Sequence, residues 1–226
     1  MFVSETMNTN LVSIAPDTKL SEVRTLMKEN NFRHLPVVDA NGKLIGIVTD
    51  RDMRDASPSS LLSEEEYQQT LDRVMEHRVS EIMTKDPLTI SVYFTLQDTL
   101  MVMGSRKVGA LPVVDEDGYL KGIMSTRDLL RAFVNVMGIG EPGTLLCILV
   151  NEESGQLKKI VDIVTEENVS MGSVLVARYW DEKKRAIFPY LLTNNVIKIK
   201  QKLLEQGFDL TDPMKWYLDQ LPKKKG

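Results

Sequence analysis

Apolar residues in this chain come in short runs, broken by polar stretches and by Pro, Gly and Asn. Leu11–Ile14 reads as a short strand-like piece ended by Ala15-Pro16. Leu20, Val23, Leu26 and Met27 then recur at helical spacing, and Thr18 is placed to cap that helix. Leu35–Val38 is a strand-sized apolar run, and Leu44–Val48 is its return. Asn41-Gly42 between them predicts a hairpin turn, because both residues tolerate positive φ. A second helix is expected to start near Thr49.

The same order recurs further along. Shifting the chain by 76 residues aligns Val3–Ala56 with Val79–Ala132 without a gap and gives 19 identities in 54 positions. Chance would give roughly three or four from average composition. Leu35-Pro36-Val37-Val38-Asp39 meets Leu111-Pro112-Val113-Val114-Asp115, and Arg51-Asp52 meets Arg127-Asp128. In the second copy Leu96, Leu100 and Met103 take the helix face, Asp117-Gly118 the turn and Lys121–Met124 the returning strand. The unit is β-α-β-β-α, and a unit this small buries little apolar area alone, so two copies are expected to pack together.

Between the copies, Ser63 and Glu66 form a capping-box pattern ahead of Tyr67, Leu71, Val74 and Met75. This reads as a linking helix, with a partner-binding helix as the alternative. Gly138–Gly143 is a Gly/Pro-rich break. Beyond it, Thr144–Val150 reads as a strand, and Leu157, Ile160, Val161 and Val164 as a helix. Met171–Trp180 and Arg185–Leu192 read as strands joined by Asp181–Lys184. Val196–Gln206 is a helix stopped by Gly207, and Phe208–Leu210 starts a last strand. That order, β-α-β-β-α-β, is the ferredoxin-like arrangement. The expected class is α/β (α+β): repeats at 1–56 and 79–137, a helical linker at 57–78, a third domain at 143–212 and a tail at 213–226.

Composition narrows the function classes. Lys and Arg total 28 against 32 Asp and Glu, a net charge of −4, so no generic basic face for nucleic acid is expected. A single Cys and two His leave no disulfide framework and too few ligands for a usual structural zinc site. Cys147 sits in an apolar strand and reads as an inert core thiol. No run approaches a membrane span, and the N-terminus has no signal-peptide pattern, so a cytoplasmic protein is expected. The tail lysines 223–225 read as solvated charge. There is no phosphate-cradling Gly-x-x-x-x-Gly-Lys loop, nucleophile elbow or metal-ligand cluster, so no catalytic residues are assigned.

The pattern h-Pro-Val-Val-Asp, then Asn-Gly or Asp-Gly, then Gly-h-h-Ser/Thr-x-x-Asp resembles the CBS domain, and two copies resemble a CBS pair, or Bateman module. The resemblance spans about residues 3–137. It implies a regulatory, non-catalytic module that binds AMP, ATP or S-adenosylmethionine in clefts between the repeats. Asn151–Leu157 resembles the first loop of ACT domains, with Ser154 where that family often has Pro. This implies an ACT-like domain that binds an amino acid near Asn151 and Gly155 or pairs subunits into a homodimer. The whole order resembles the AcuB-type acetoin-utilisation family.

Thr49-x-x-Asp52 and Ser125-x-x-Asp128 each open an expected helix, whose first N–H groups lack internal partners. Asp52 and Asp128 could accept ribose hydroxyls; Thr49 and Ser125 could donate to a phosphate or hold the loop. Arg51 and Arg127 offer forked donors to phosphate. Arg33, His34 and Lys107 precede the central strands and could add charge from across the cleft. The alternative is that Ser/Thr-x-x-Asp is a capping box and nothing more. Gly109-Ala110 stands where the first copy has Arg33-His34, so the two clefts are expected to differ. Two further readings stay open: an interaction protein with vestigial clefts, and an amino-acid-responsive regulator.

Overall fold

The computed structural model describes residues 1–138, 140–177 and 184–211. The chain divides into two compact units, residues 1–130 and 131–226.

The first unit holds the first repeat and the second as far as residue 130, and the two are built alike. In the first copy, α1 (Leu20–Asn30) is followed by β1 (His34–Val38), β2 (Leu44–Thr49) and α2 (Asp50–Asp55). The insert carries α3 (Glu64–Met75). The second copy has β3 (Thr84–Lys85), β4 (Ile90–Ser91), α4 (Leu96–Arg106), β5 (Ala110–Val114), β6 (Leu120–Ser125) and α5 (Thr126–Val136). The strand expected at Leu11–Ile14 shrinks to a single parallel bridge, Ile14 to Val37. Its counterpart β4 pairs in parallel with Val113 and Val114.

Several local expectations change. Lys19, not Thr18, is the N-cap of α1, and it makes no side-chain cap bond. The Thr18 carbonyl instead accepts the Val79 N–H. In the second copy Thr95 occupies that cap position with a full capping box to Asp98. Leu100 is half exposed, and Thr99 is buried in its place, with its hydroxyl donating to the Thr95 carbonyl at 2.9 Å. The buried face of α4 is thus Leu96, Thr99 and Met103. In the hairpin only Gly42 has positive φ, not Asn41. The Asp39 carboxylate accepts the N–H groups of Asn41 and Lys43, and Asp115 does the same for Asp117 and Tyr119. Together with the register shift at Val37/Val38, this is a longer loop with a bulge.

The repeats interlock, which no local pattern shows. β3 adds to the edge of β2, and Asn8 bridges Ile123 on β6. The turn at Val3–Glu5 donates Val3 N–H to Phe94 O, as Val79 N–H of the matching turn donates to Thr18 O. Met83 lies over Gly46 and Met7 over Gly122, so any side chain at those glycines would strike a methionine sulfur. The Ser63–Glu66 box opens α3 as expected. Leu71 and Met75 of α3, with Val79, complete the core around Leu20, Val23, Leu35 and Val37. The helix of the insert is therefore part of the first core.

In the second unit, β7 (Thr144–Leu145) and β8 (Ile148–Asn151) pair with one edge of β10 (Lys184–Leu191) in one continuous register, interrupted at Leu146–Cys147. β9 (Met171–Ala177) takes the other edge of β10, and β11 (Asp209–Leu210) pairs with β8. The order β11-β8-β10-β9 is wholly antiparallel, with each strand-helix-strand crossover skipping one strand, as in the split βαβ arrangement. Helices α6 (Gln156–Glu166) and α7 (Ile197–Glu205) bury Ile160, Ile163, Val164, Ile199 and Leu203 against Ile148, Val150, Ile187 and Leu191. Ile163, not Leu157 or Val161, completes the face of α6; Leu157 is exposed. Cys147 is buried, and burial, with Asp209 nearby, pushes its thiol pKa up, as an unreactive core thiol requires. The turn at 181–183, the end of the strand at 178–180 and the tail with its lysines lie outside the described residues.

Candidate functional site

The start of β1, the β2–α2 junction, the segment after β3 and the start of β5 surround a cavity of about 460 Å³. This falls within the roughly 300–1,000 Å³ of small-molecule sites. Both repeats contribute to its wall. Arg33, His34, Thr49, Arg51 and Asp52 come from the first and Lys107 from the second, so six of the expected site residues meet here.

Backbone pairing sets this geometry. His34 is opposite Thr49 in the β1–β2 ladder, and the Arg33 carbonyl accepts the Asp50 N–H at 3.0 Å. Residue 33 is thereby tied to the start of α2. The capping box is present: Asp52 Oδ2 accepts the Thr49 N–H at 2.7 Å and the Thr49 hydroxyl at 2.8 Å. The Thr49 hydroxyl in turn accepts the Asp52 N–H at 3.3 Å. Thr49 thus has its proton committed and holds the loop. Asp52 Oδ1 has no hydrogen-bond partner among the described residues. The capping box therefore uses only one oxygen of this carboxylate. Because α2 has only six residues, the attraction for an anion here rests on side-chain charge rather than on a helix terminus.

The wall has a charged part and an apolar part. Arg33, Arg51, Arg54 and Lys107 face two carboxylates, Asp50 and Asp52. Arg54 Nη1 donates to Asp50 Oδ2 at 2.9 Å, while Arg33, Arg51 and Lys107 form no ion pair among the described residues. Ile47, Pro87, Leu88, Val108 and Leu111 are the apolar lining of the cavity. His34 is half buried, and burial lowers its pKa; Asp50 and Asp52 oppose this and Arg33 adds to it. Near neutral pH the ring is an uncharged donor and acceptor.

Asp50, Arg54, Pro87, Leu88 and Val108 were not legible as site residues. Asp50 and Arg54 carry a weak signal, the helical four-residue spacing of opposite charges. Pro87 and Leu88 reach the cavity only because the second copy's leading segment docks on the first repeat.

Ser125, Arg127 and Asp128 are not in this wall. They occupy the matching position at the start of α5, where Asp128 Oδ2 accepts the Ser125 N–H at 3.0 Å and its hydroxyl at 2.5 Å. Asn151 and Gly155 lie in the second unit, flanking the loop between β8 and α6, and Gly155 has φ +89° as the N-cap of α6. Among the described residues, no group of three or more His, Cys, Asp or Glu is placed to hold a metal ion. No described helix is long and apolar enough to cross a membrane.

The CBS domain family matches residues 3–59 and 79–135. This chain belongs to the CBS-domain family. The CBS pair is 36% identical over 137 residues to a CBS domain-containing protein of Dictyostelium discoideum, a match covering 61% of this chain and 94% of that one. The solved structure of CBSX2 in complex with AMP is 30% identical with a TM-score of 0.50, covering 59% of this chain and 96% of the other. The Vibrio cholerae protein AcuB, named for acetoin utilization, is 28% identical with a TM-score of 0.52, covering 63% of this chain and 98% of that chain.

Proposed function

We propose that this CBS pair is a regulatory, non-catalytic sensor that binds an adenine nucleotide in the cavity between its repeats. The observation that carries this is one cavity lined by apolar side chains, by a carboxylate with one oxygen unpartnered among the described residues, and by three cations that form no ion pair among them. In this reading the base lies against Ile47, Leu88 and Val108, the ribose hydroxyls donate to Asp52 Oδ1, and the phosphates face Arg33, Arg51 and Lys107. Thr49 serves through the loop, and His34 hydrogen-bonds as a neutral ring. The AMP bound by CBSX2 supports the choice of ligand. A ligand touching both repeats favours whichever arrangement of them it fits better, which is how binding becomes a signal.

Ser125, Arg127 and Asp128 form a second, weaker cleft. The second unit serves as an ACT-like element for homodimer formation or amino-acid sensing around Asn151 and Gly155. Its split βαβ order supports that part. The protein works in the cytoplasm on a partner it regulates. Calorimetry of the full chain with AMP, ATP and S-adenosylmethionine tests the nucleotide reading: at least one should bind more tightly than about 1 mM, about −4 kcal/mol. Absence of binding by all three refutes it.

A further inference from the structure

We propose that the cavity selects its ligand by charge, taking adenosine di- or triphosphate in preference to an uncharged or cationic adenosyl compound, through Arg33 and Lys107 on opposite repeats. This rests on the nucleotide reading above.

The chain as a whole is acidic, with a net charge of −4, yet this cavity carries four cations and two carboxylates. One carboxylate, Asp50, is paired with Arg54, and the other, Asp52, commits one oxygen to the capping box. Arg33, Arg51 and Lys107 are left without an ion pair among the described residues. The internal repeat shows that the fold does not require this charge. Under the 76-residue shift, Arg33, Arg54 and Lys107 become Gly109, Leu130 and Asn31, and only Arg51 keeps its charge, as Arg127. The same backbone is built twice, and three of the four cations have no charged counterpart at the equivalent position.

Lys107 gives a second, independent sign. It is the C-cap of α4 at φ +54°, in the left-handed region. Its counterpart Asn31 caps α1 at φ +53°. Asn tolerates that region better than Lys, whose longer side chain offers no local compensation. A strained cation at a cavity wall, where the repeat shows a more comfortable residue, is the pattern of a position kept for its ligand. Arg33 is tied by its carbonyl to the start of α2, so the two charges flank the cavity from different repeats. A phosphate chain between them draws the repeats together. S-adenosylmethionine, with a sulfonium and a net positive charge, meets the same cations with repulsion.

The test is calorimetry of the full chain with adenosine, AMP, ADP, ATP and S-adenosylmethionine. It is run at low salt and at about 1 M salt, where the Debye length shrinks to about 3 Å. At low salt ATP should bind at least about tenfold more tightly than adenosine, with S-adenosylmethionine weakest; high salt should narrow the gap, as for exposed charge pairs. Arg33→Ala and Lys107→Asn should each weaken ATP by about two- to fivefold and leave adenosine unchanged. Lys107→Asn should also hold or raise the Tm of the ligand-free chain, because it relieves the left-handed strain. Equal affinity for ATP and adenosine, or tighter binding of S-adenosylmethionine than of ATP, overturns charge selection while the cavity reading stands. A Lys107→Asn chain that loses both ATP affinity and Tm overturns the role given to Lys107, since the residue would then act through the fold. Binding of no adenine compound overturns the cavity reading itself.

Discussion

Removing Thr49 and Asp52 one at a time separates the two roles that the Thr49–Asp52 pair combines. Thr49→Ala deletes the hydroxyl that both accepts the Asp52 N–H and donates to Asp52 Oδ2. Asp52→Ala deletes the acceptor of the Thr49 N–H and of that hydroxyl. Either change breaks the same box, and loss of such a cap costs about 0.5–2 kcal/mol. At about 2–4 °C per kcal/mol for a chain of this size, both should lower Tm by a few degrees and by similar amounts. Their effects on ligand should diverge. Only Asp52 has a carboxylate oxygen, Oδ1, left for a ribose hydroxyl, and a hydrogen bond to a charged group is worth about 1.5–3 kcal/mol. Asp52→Ala should therefore weaken the nucleotide by about 10- to 150-fold. Thr49→Ala should weaken it only as far as the loop loosens, by about fivefold or less. The assay is thermal denaturation followed by circular dichroism, paired with nucleotide calorimetry on the same samples. If the two variants lose affinity equally, the loss runs through loop order and Asp52 is no ribose acceptor. If Asp52→Ala loses stability but no affinity, the pair is a cap alone.

The interlock of the repeats can be tested at Gly46, where an added Cβ would lie 2.5 Å from the Met83 sulfur. Gly46→Ala should destabilise the chain by about 1–3 kcal/mol through overpacking, and adding Met83→Ala should recover part of it. Strict additivity in denaturant titrations would show that the two residues do not meet. His34 should make stability depend on pH, because burial lowers its folded pKa below the unfolded value near 6.5. The unfolded chain then binds more protons than the folded one, so stability should fall as pH drops through 6.5 toward the folded pKa. Tm values from pH 7.5 to 5.5 should decline less steeply for His34→Gln than for the parent; identical slopes would contradict the burial argument.

The duplication was legible because local chemistry was copied along with the sequence. Each Asp39 or Asp115 closes its own turn, each Ser/Thr-x-x-Asp forms its own box, and each apolar run pairs with its neighbour in the hairpin. Such features depend on residues a few positions apart, so they can be read along one line. The same holds in the second unit, where Gly207, at φ +81°, follows the last turn of α7 as expected. Even local signals misled where two residues competed for one role, as when Lys19 displaced Thr18 as the cap and Thr99 took the buried place given to Leu100.

The chain by itself therefore determined the repeat, most of its helices and strands, and a set of candidate side chains for a nucleotide. It did not say which of those side chains share a cavity. That was decided by docking each repeat's leading segment on the other, which brings Leu88 and Lys107 of the second copy to Thr49, Arg51 and Asp52 of the first. The physical reason is that neither half is complete alone. The first core needs Leu71, Met75 and Val79 from outside its own repeat, and β2 needs β3 at its edge. Burying that surface forces the exchange, and the exchange places charges from two distant segments around one cavity.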